Sequence, residues 1–389
     1  MDAIFTRKHR DIIDKVTYLG RSAFAPRAAE HDILAATPTR NLQDVVAAGL
    51  NAAALREEIG GLGGGALGLD PLASLLIVEH SARYCLSTAQ CLHIHYNTSH
   101  RLDQTANADQ IERIIKPIVD QGAFVNNTGS EPGRTGRGLL NLRTSARKTD
   151  GGWLLNGVKN YSTMADVVHF NAISAVVTDG DTGKSAIQFF AVPRHAAGLT
   201  IEPDSWDPMG MRAAYSPTLT LRDCFVADRD VLGKAGDYAR GRWTAKSHLS
   251  FAAQYVGGSE GVVDFLCDYI PKRGTSGNSH TQLRLGEIRI AIDAARNSLY
   301  HAAWLWQQGA TDNAELASMK AKHVALKCAT SVIEKSAQIA GSSALTARSV
   351  LSRFLRDLRY QSLHENPDTT ATEIGRALLG EHFDVSARL

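Results

Sequence analysis

The 389-residue chain has no run of about 18 uninterrupted apolar residues, so no membrane-spanning helix is expected. The first residues, MDAIFTRKHRDIID, lack an apolar segment of signal-peptide type, and no signal peptide is expected. Cysteine is scarce. The five thiols at positions 85, 91, 224, 267 and 328 are odd in number, scattered and never spaced as CxxC. That argues against a zinc ribbon or a disulfide framework and fits a reducing compartment. Neither charge sign dominates: 42 Lys and Arg against 40 Asp and Glu leave a formal +2 with no basic block, so nucleic acid is not an expected partner. Internal repeats and low-complexity tracts are absent as well. What is present is a hydrophobic content of 44%, enough for a sizeable core, on a length that suits two or three domains or one composite unit. A soluble, cytoplasmic protein is the expectation.

The texture of the chain changes twice. Residues 1–120 read as a helical domain, with LASLLIVEHSARYCLSTAQCLHIHY (72–96) long and free of Gly and Pro, and GGLGGGALGLDP (60–71) as a loop. Residues 121–235 read as a β domain, a small barrel or sandwich. WLLNGVKNYST, HFNAISAVVTD, SAIQFFAVPR and SPTLTLRDCFV are short β-branched or aromatic segments parted by turn residues. Residues 236–389 return to helices. Leu285, Ile288, Ile292, Ala295, Leu299, Ala302 and Trp306 step by three and four, the seam of a four-helix bundle. The fold class is thus α+β and multidomain.

Several stretches carry chemistry. His93, His95 and His100 in HIHYNTSH sit on or just after a helix; positions two apart face different sides and no carboxylate stands at ligand spacing, so no metal site is expected. FVNNTGSEPGR (124–134) taken alone is a Gly-Pro turn with a capping serine. DGGWLLNGVKNYSTMADVVHF (150–170) taken alone is a hairpin with a half-buried tyrosine. The methionines and Phe225 in DPMGMRAAYSPTLTLRDCFVADRDVLG (207–233) read as core.

Order and spacing of these stretches, from about residue 10 to 380, resemble the acyl-CoA dehydrogenase superfamily of flavoproteins. GSEPG is similar to the family's Thr-Glu-Pro-Gly segment, which implies that Thr128 and Ser130 meet a flavin, with Ser130 where threonine is usual. Tyr161-Ser162-Thr163 resembles an aromatic–X–Thr whose aromatic lies against the ring and whose threonine is near N5. DYIPKRGTSGNSHTQ (268–282) brings Arg273, Thr275 and Gly277, with Ser276 replacing an aromatic; the likeness implies that Arg273 reaches a cofactor phosphate across a subunit interface, a task suited to its fork of donors. AQIAGSSALTARSVLSRFLRDLR (337–359) resembles the Gln-Ile-X-Gly-Gly run, placing Gln338 and Gly341 on the cofactor side and Arg356 with Asp357 as a structural pair. The resemblance implies a homo-tetramer with shared cofactor sites.

Two readings follow for YQSLHENP (360–367). Counting on from Arg356-Asp357, Glu365 falls where many acyl-CoA dehydrogenases keep the base that removes a proton alpha to a thioester. The surrounding His364-Glu365-Asn366-Pro367, with GSSAL (341–345), is more similar to the reduced-flavin monooxygenase branch: dibenzothiophene-type sulfur oxygenases, amine N-hydroxylases and nitrososynthases. In that branch a C4a-hydroperoxyflavin oxidises nitrogen or sulfur of a small molecule, and a separate flavin reductase supplies reduced flavin. His364 then donates a proton, Ser130 supplies a hydroxyl, and Glu365 orients His364, titrates a substrate amine or faces solvent. Arg134-Thr135-Gly136-Arg137 replace Ala-Gly-Ser-Asp, which weakens the expected grip on FAD pyrophosphate and leaves room for FMN. Of the histidines on the 72–96 stretch, His95 is the one expected in the substrate pocket.

Overall fold

The computed structural model describes residues 5–133, 141–178, 183–364 and 366–385. Helices α1 (Arg7–Leu19), α2 (Ala25–Leu34), α3 (Thr39–Ala47), α4 (Pro71–Ala82), α5 (Leu86–Thr105), α6 (Ala108–Gln110) and α7 (Lys116–Asp120) come first. Strands β1 (Val125–Thr128), β2 (Ser145–Thr149), β3 (Gly152–Lys159), β4 (Phe170–Thr178), β5 (Ser185–Pro193), β6 (Leu199–Glu202), β7 (Thr218–Ala227) and β8 (Val231–Leu232) follow. The chain returns to helix in α8 (Asp237–Arg240), α9 (Trp243–Lys272), α10 (Ser279–Gln307), α11 (Thr311–Ala340), α12 (Val350–Ser362) and α13 (Pro367–Leu378). The order of helices, strands and helices is the expected one. Among the described residues no helix is long and apolar enough to cross a membrane.

The strands correct one expectation. They do not close into a barrel: the sheet runs β6-β7-β3-β2-β4-β5-β8, with β1 parallel beside β4. Its end strands are too short to join. β8 meets β5 only at Phe189↔Leu232 and Phe190↔Val231, and β6 meets β7 over four residue pairs. Alternation along β4 feeds two cores. Ile173, Ala175 and Val177 pack with Phe190, Leu219 and Leu221. Phe170 and Ala172 pack with Ile114, Ile118 and Leu102 of the preceding helices, which fixes the sheet against α5.

In the bundle, the α10 stripe is placed as its spacing predicts: Ile288, Ile292, Ala295, Leu299 and Ala302 have no exposure and Trp306 has 4%. The long 72–96 stretch, in contrast, is two helices broken at residues 83–85, where Cys85 is extended (φ −155°). No Gly or Pro marks that break. It lies where α4 meets α9: a Cβ on Gly257 would collide with the carbonyl oxygen of Glu79, and one on Gly261 with that of Arg83. Two buried carboxylates tie the same place. Glu79 accepts from Arg296 Nε (2.7 Å) and Tyr300 Oη (2.8 Å), and Glu260 accepts from Arg289 Nη2 (2.7 Å) and from Arg296. Burial pushes the Glu260 carboxyl up, but its two arginines outweigh this and hold it at about 2.

The close approach makes a prediction. Gly257→Val destabilises the protein by about 2 kcal/mol or more, because backbone has to move to admit the side chain. Gly286→Ala, on the same bundle but with open space around it, raises stability by roughly 0.5–1 kcal/mol. Urea unfolding of the two variants against the parent is the measurement.

Candidate active site

A cavity of ≈ 680 Å³ opens where α5, the sheet, the start of α9 and the end of α12 converge. Its floor is the turn after β1. Glu131 there accepts from Lys159 Nζ (2.8 Å) and from the backbone N–H groups of Arg143 (2.6 Å) and Thr144 (3.0 Å). Lys159 has no exposure. Burial pushes the Glu131 carboxyl up, but Lys159 and the 143–144 segment outweigh it and hold it at about 2. Ser130, next to this anchor, lines the cavity, and its carbonyl accepts from Asn160 N (3.0 Å), joining the ends of β1 and β3.

Tyr161 and Thr163 line the cavity one turn further on. Tyr161 is left-handed (φ 55°), as are Met164 (φ 61°) and Met211 (φ 57°). Such backbone costs a non-glycine residue about 1–2 kcal/mol and collects at working sites. Here it is held by tertiary bonds: Met164 N donates to Tyr215 O (2.8 Å), and Met211 N to Asp357 Oδ1 (2.6 Å). Trp206 stands edge-on to both Tyr161 (6.4 Å) and Tyr360 (6.2 Å), making an aromatic wall. Ser216 Oγ donates to Ala214 O, so the 2.9 Å bond between Thr163 and Ser216 is donated by Thr163. The Thr163 hydroxyl therefore turns only acceptor capacity toward the cavity.

The helical wall carries the proton chemistry. His93 Nδ1 accepts from Gln254 Nε2, which puts the ring proton on Nε2. Gln254 is fixed in turn by Gln361 (3.0 Å), which also binds Gln90 (2.9 Å). The Phe251 ring lies 4.2 Å from His93 and 5.5 Å from His364, so the two imidazoles flank one phenyl. His364, at the end of α12, donates from Nδ1 to Gln361 O (3.0 Å).

Of the residues singled out by sequence, Ser130, Tyr161, Thr163 and His364 share this cavity. Glu365 lies outside the described residues. Thr128 and Ser162 are buried behind the lining; Thr128 Oγ1 bonds Asn126 Oδ1 (3.3 Å). Arg273, Thr275, Gln338 and Gly341 do not line the cavity but gather at one end of the bundle. There Arg273 donates to Ala340 O and Ser343 Oγ (3.2 Å), beside Gly341, and Arg284 donates to Gln338 (2.8 Å). His95 is corrected. It is fully buried off the cavity, accepting from Val125 N (3.2 Å) and donating to Asn51 O (2.9 Å), and burial lowers it to about 4. Its work is to fasten α5 to β1. Arg356 and Asp357 do not pair with each other: Arg356 binds Asp32 (2.6 Å), and Asp357, which burial raises to about 7, takes the Met211 amide. Sequence reasoning missed His93, Asn97 and Arg101. The signal was present in the polar stripe Gln90, His93, Asn97 and Arg101, stepping by three and four along α5.

The residues present fit a bound polar ring. Asn97 Nδ2 and Asn160 Oδ1 are buried without a hydrogen-bond partner among the described residues, and both side chains line the cavity. Buried polar atoms left this way call for a ligand's hydrogen bonds. The volume is also in the ordinary range of cofactor sites.

Residues 6–122, 128–224 and 249–368 match the acyl-CoA dehydrogenase N-terminal, middle and C-terminal domain families in that order. The chain is 30% identical over 364 residues to the putative acyl-CoA dehydrogenase YdbM of Bacillus subtilis, covering 90% of this chain and 92% of that one. It belongs to the acyl-CoA dehydrogenase family. This acyl-CoA dehydrogenase-family protein is accordingly a flavin-dependent oxidoreductase. Two solved structures share its fold. FMN-bound TdsC from Paenibacillus sp. A11-2 has a TM-score of 0.86 at 20% identity, over 97% of this chain and 99% of its own. Butyryl-CoA dehydrogenase from Megasphaera elsdenii has 0.87 at 24%, over 97% and 100%.

The Glu131–Lys159 pair is testable by pH and mutation. Glu131→Gln leaves a buried ammonium without its counter-ion and lowers stability by about 3–5 kcal/mol near neutral pH. The carboxyl's folded value lies below its unfolded one, so its contribution is present in full above the ordinary range near 4. It is lost as pH falls toward 2. Unfolding midpoints of parent and variant therefore converge between about pH 4 and pH 2.

Proposed function

We propose that this protein is a reduced-flavin monooxygenase that oxidises nitrogen or sulfur of a small molecule. The observation that carries the reading is the pair of imidazoles, His93 and His364, both packed on Phe251 on the cavity wall. Transfer of one oxygen atom to substrate leaves an oxygen that takes a hydrogen bond and then a proton: His93 Nε2–H can donate the first, and His364, its Nδ1–H tied to Gln361 O, can deliver the second from Nε2 in its imidazolium form. His93 holds its proton on Nε2 because Gln254 occupies Nδ1. Of the described carboxylates on the lining, Glu131 is held too acidic to act as a base, and Asp384 is exposed.

Flavin, when bound, supplies the two electrons that activate molecular oxygen. The chain's residues do the rest. Tyr161, Trp206 and Tyr360, set edge to face, would stand as an aromatic wall beside the ring, and Ser130, Asn97 and Asn160 would meet its polar edge. Thr163, with its own proton committed to Ser216, accepts from a ring N–H, the state that a reduced flavin presents at N5. Phe251 and the aromatic wall exclude water from the reacting atoms. FMN suits this reading, as in the FMN-bound relative TdsC, a dibenzothiophene monooxygenase. Reduced flavin arrives from a separate reductase. The protein works as a homo-tetramer, in which Arg273, Thr275, Gln338 and Gly341 of one copy face the cofactor of another. Their distance from this chain's own lining and the exposed Leu283, Ile290 and Trp304 on α10 support that arrangement.

A second reading, an acyl-CoA (or carrier-thioester) dehydrogenase with Glu365 as base, is favoured by the 30% identity to YdbM. One experiment separates the two. The chain is loaded with reduced FMN and exposed to isotope-labelled oxygen with sulfur or amine probes such as dibenzothiophene. Labelled product forms, and His93→Asn and His364→Asn each lower its yield per flavin oxidised by roughly 10²-fold. Butyryl-CoA bleaching the oxidised flavin, with the bleaching lost in Glu365→Gln and no labelled product, establishes the second reading instead. The tetramer is checked by light scattering: Arg273→Ala weakens FMN binding without altering the mass, and a monomer that binds FMN tightly contradicts the shared site.

A further inference from the structure

The α5 stripe that brings His93 to the cavity ends in a cation. Arg101 lines the same cavity and is only 7% exposed. Among the described residues no carboxylate lies within ion-pair distance of it. Its guanidinium is 3.9 Å from the centroid of the Phe189 ring and 5.2 Å from that of Tyr238, two rings that neighbour each other at 5.2 Å. Its side chain makes one hydrogen bond to a described residue, from Nη2 to Asn127 Oδ1 (3.2 Å). An arginine carries five N–H donors in its plane. With one of them used on Asn127, the Arg101 side chain reaches the cavity with donors in hand.

Lys246, the other lysine or arginine on the described lining, is differently placed. Lys246 Nζ donates to Gly241 O (2.7 Å) and sits between the rings of Trp243 and Trp306, about 5 Å from each. Its charge is partly answered by Glu315, which also binds Arg242 (2.6 Å). Of the described carboxylates on the lining, Glu131 is saturated by Lys159 and two amides, and Asp384 is exposed. Burial lowers Arg101 to about 10, so it stays charged at neutral pH. A buried cation surrounded by rings and an amide is incomplete until an anion meets its fork, and the fork matches two oxygens of one group.

We propose that Arg101 receives a terminal oxyanion of the substrate, so that the protein acts on small anionic molecules: carboxylates, sulfonates or phosphate monoesters. The proposal rests on the cavity being the flavin and substrate site. Helix geometry sets the scale. Arg101 is eight residues beyond His93 on α5, which at 1.5 Å per residue is ~12 Å along the axis. The reacting nitrogen or sulfur lies at the imidazole end and the oxyanion at the other, on the order of 10 Å away.

The phosphate of FMN is the competing anion, and the test separates them. Trp206 and Trp243 line the cavity, so binding is read by the intrinsic fluorescence of the full chain, with and without added flavin. Hexanesulfonate, hexanoate and neutral hexanamide are titrated, then FMN and riboflavin. The expected result is that the two anions bind at least tenfold more tightly than hexanamide. Arg101→Gln removes the preference, Arg101→Lys keeps most of it, and neither changes the affinity for FMN or riboflavin. Absence of the preference in the parent chain overturns the proposal, as does its survival in Arg101→Gln. Weakened FMN binding with unchanged riboflavin binding in Arg101→Gln also overturns it, by giving Arg101 to the cofactor. If the parent binds neither flavin, the flavin reading fails separately, and the anion titration still decides the role of Arg101.

Discussion

The ion pair between Lys159 and Glu131 is the constraint on which the site depends. Two side chains, 0% and 3% exposed, meet at 2.8 Å where β3 ends and the turn after β1 begins. Taking both charges from water costs several kcal/mol each, so the pair survives only because Glu131 is also met by two backbone amides. The result is a turn with one allowed position. Ser130 precedes it, Asn160 and Tyr161 follow Lys159, and all three reach the cavity from this one anchor. A hydrophobic pair of the same volume would pack as well but would not fix the carbonyl of Ser130 against Asn160.

The helical wall is organised by the opposite device, a chain of neutral amides. Gln90, Gln254 and Gln361 come from α5, α9 and α12, and their mutual bonds set three helices in register. The end of that chain is His93, so the same contacts that pack the bundle choose the imidazole's tautomer. Local strain is concentrated on the other wall. Tyr161 and Met211 line the cavity with left-handed backbone, and Met164 is adjacent to Thr163. Left-handed residues on one side and a chain of bonded amides on the other define the two walls of the slot.

Much of this was legible in the sequence, and the misses have physical reasons. The α10 seam was readable because its burial is one-sided. Ser130, Tyr161, Thr163 and His364, which line one cavity, were singled out through the family resemblance of their segments; taken alone, the first two segments read as a capped turn and an ordinary hairpin. Helix α5 defeated the same approach: it is buried nearly all round, so periodicity of apolar residues does not say which face meets a ligand. His93 and His95 are two positions apart and thus point to different sides, and only the packing of α5 on β1 decides between them. The break at residues 83–85 was invisible because its cause is α9, almost two hundred residues away. An open sheet in place of a barrel was likewise a matter of how far β6 and β8 extend, which composition does not state.

The two chemistries open to an acyl-CoA dehydrogenase-family cavity differ in one requirement. Removing a proton alpha to a thioester needs a carboxylate that burial has made basic; passing an oxygen atom needs N–H or O–H donors where oxygen departs. On the described lining the carboxylate nearest the floor is made acidic by a lysine and two amides, which disqualifies it as a base. The donors are the better-built part. One imidazole is held in a defined tautomer by a glutamine, another is tied to a helix end, and both pack on the ring of Phe251. Further along the same helix face, the Arg101 guanidinium lies against two aromatic rings on the cavity lining. Under the proposed reading, imidazoles at one end of the slot and a cation at the other match an elongated, anionic molecule whose nucleophilic atom is oxidised.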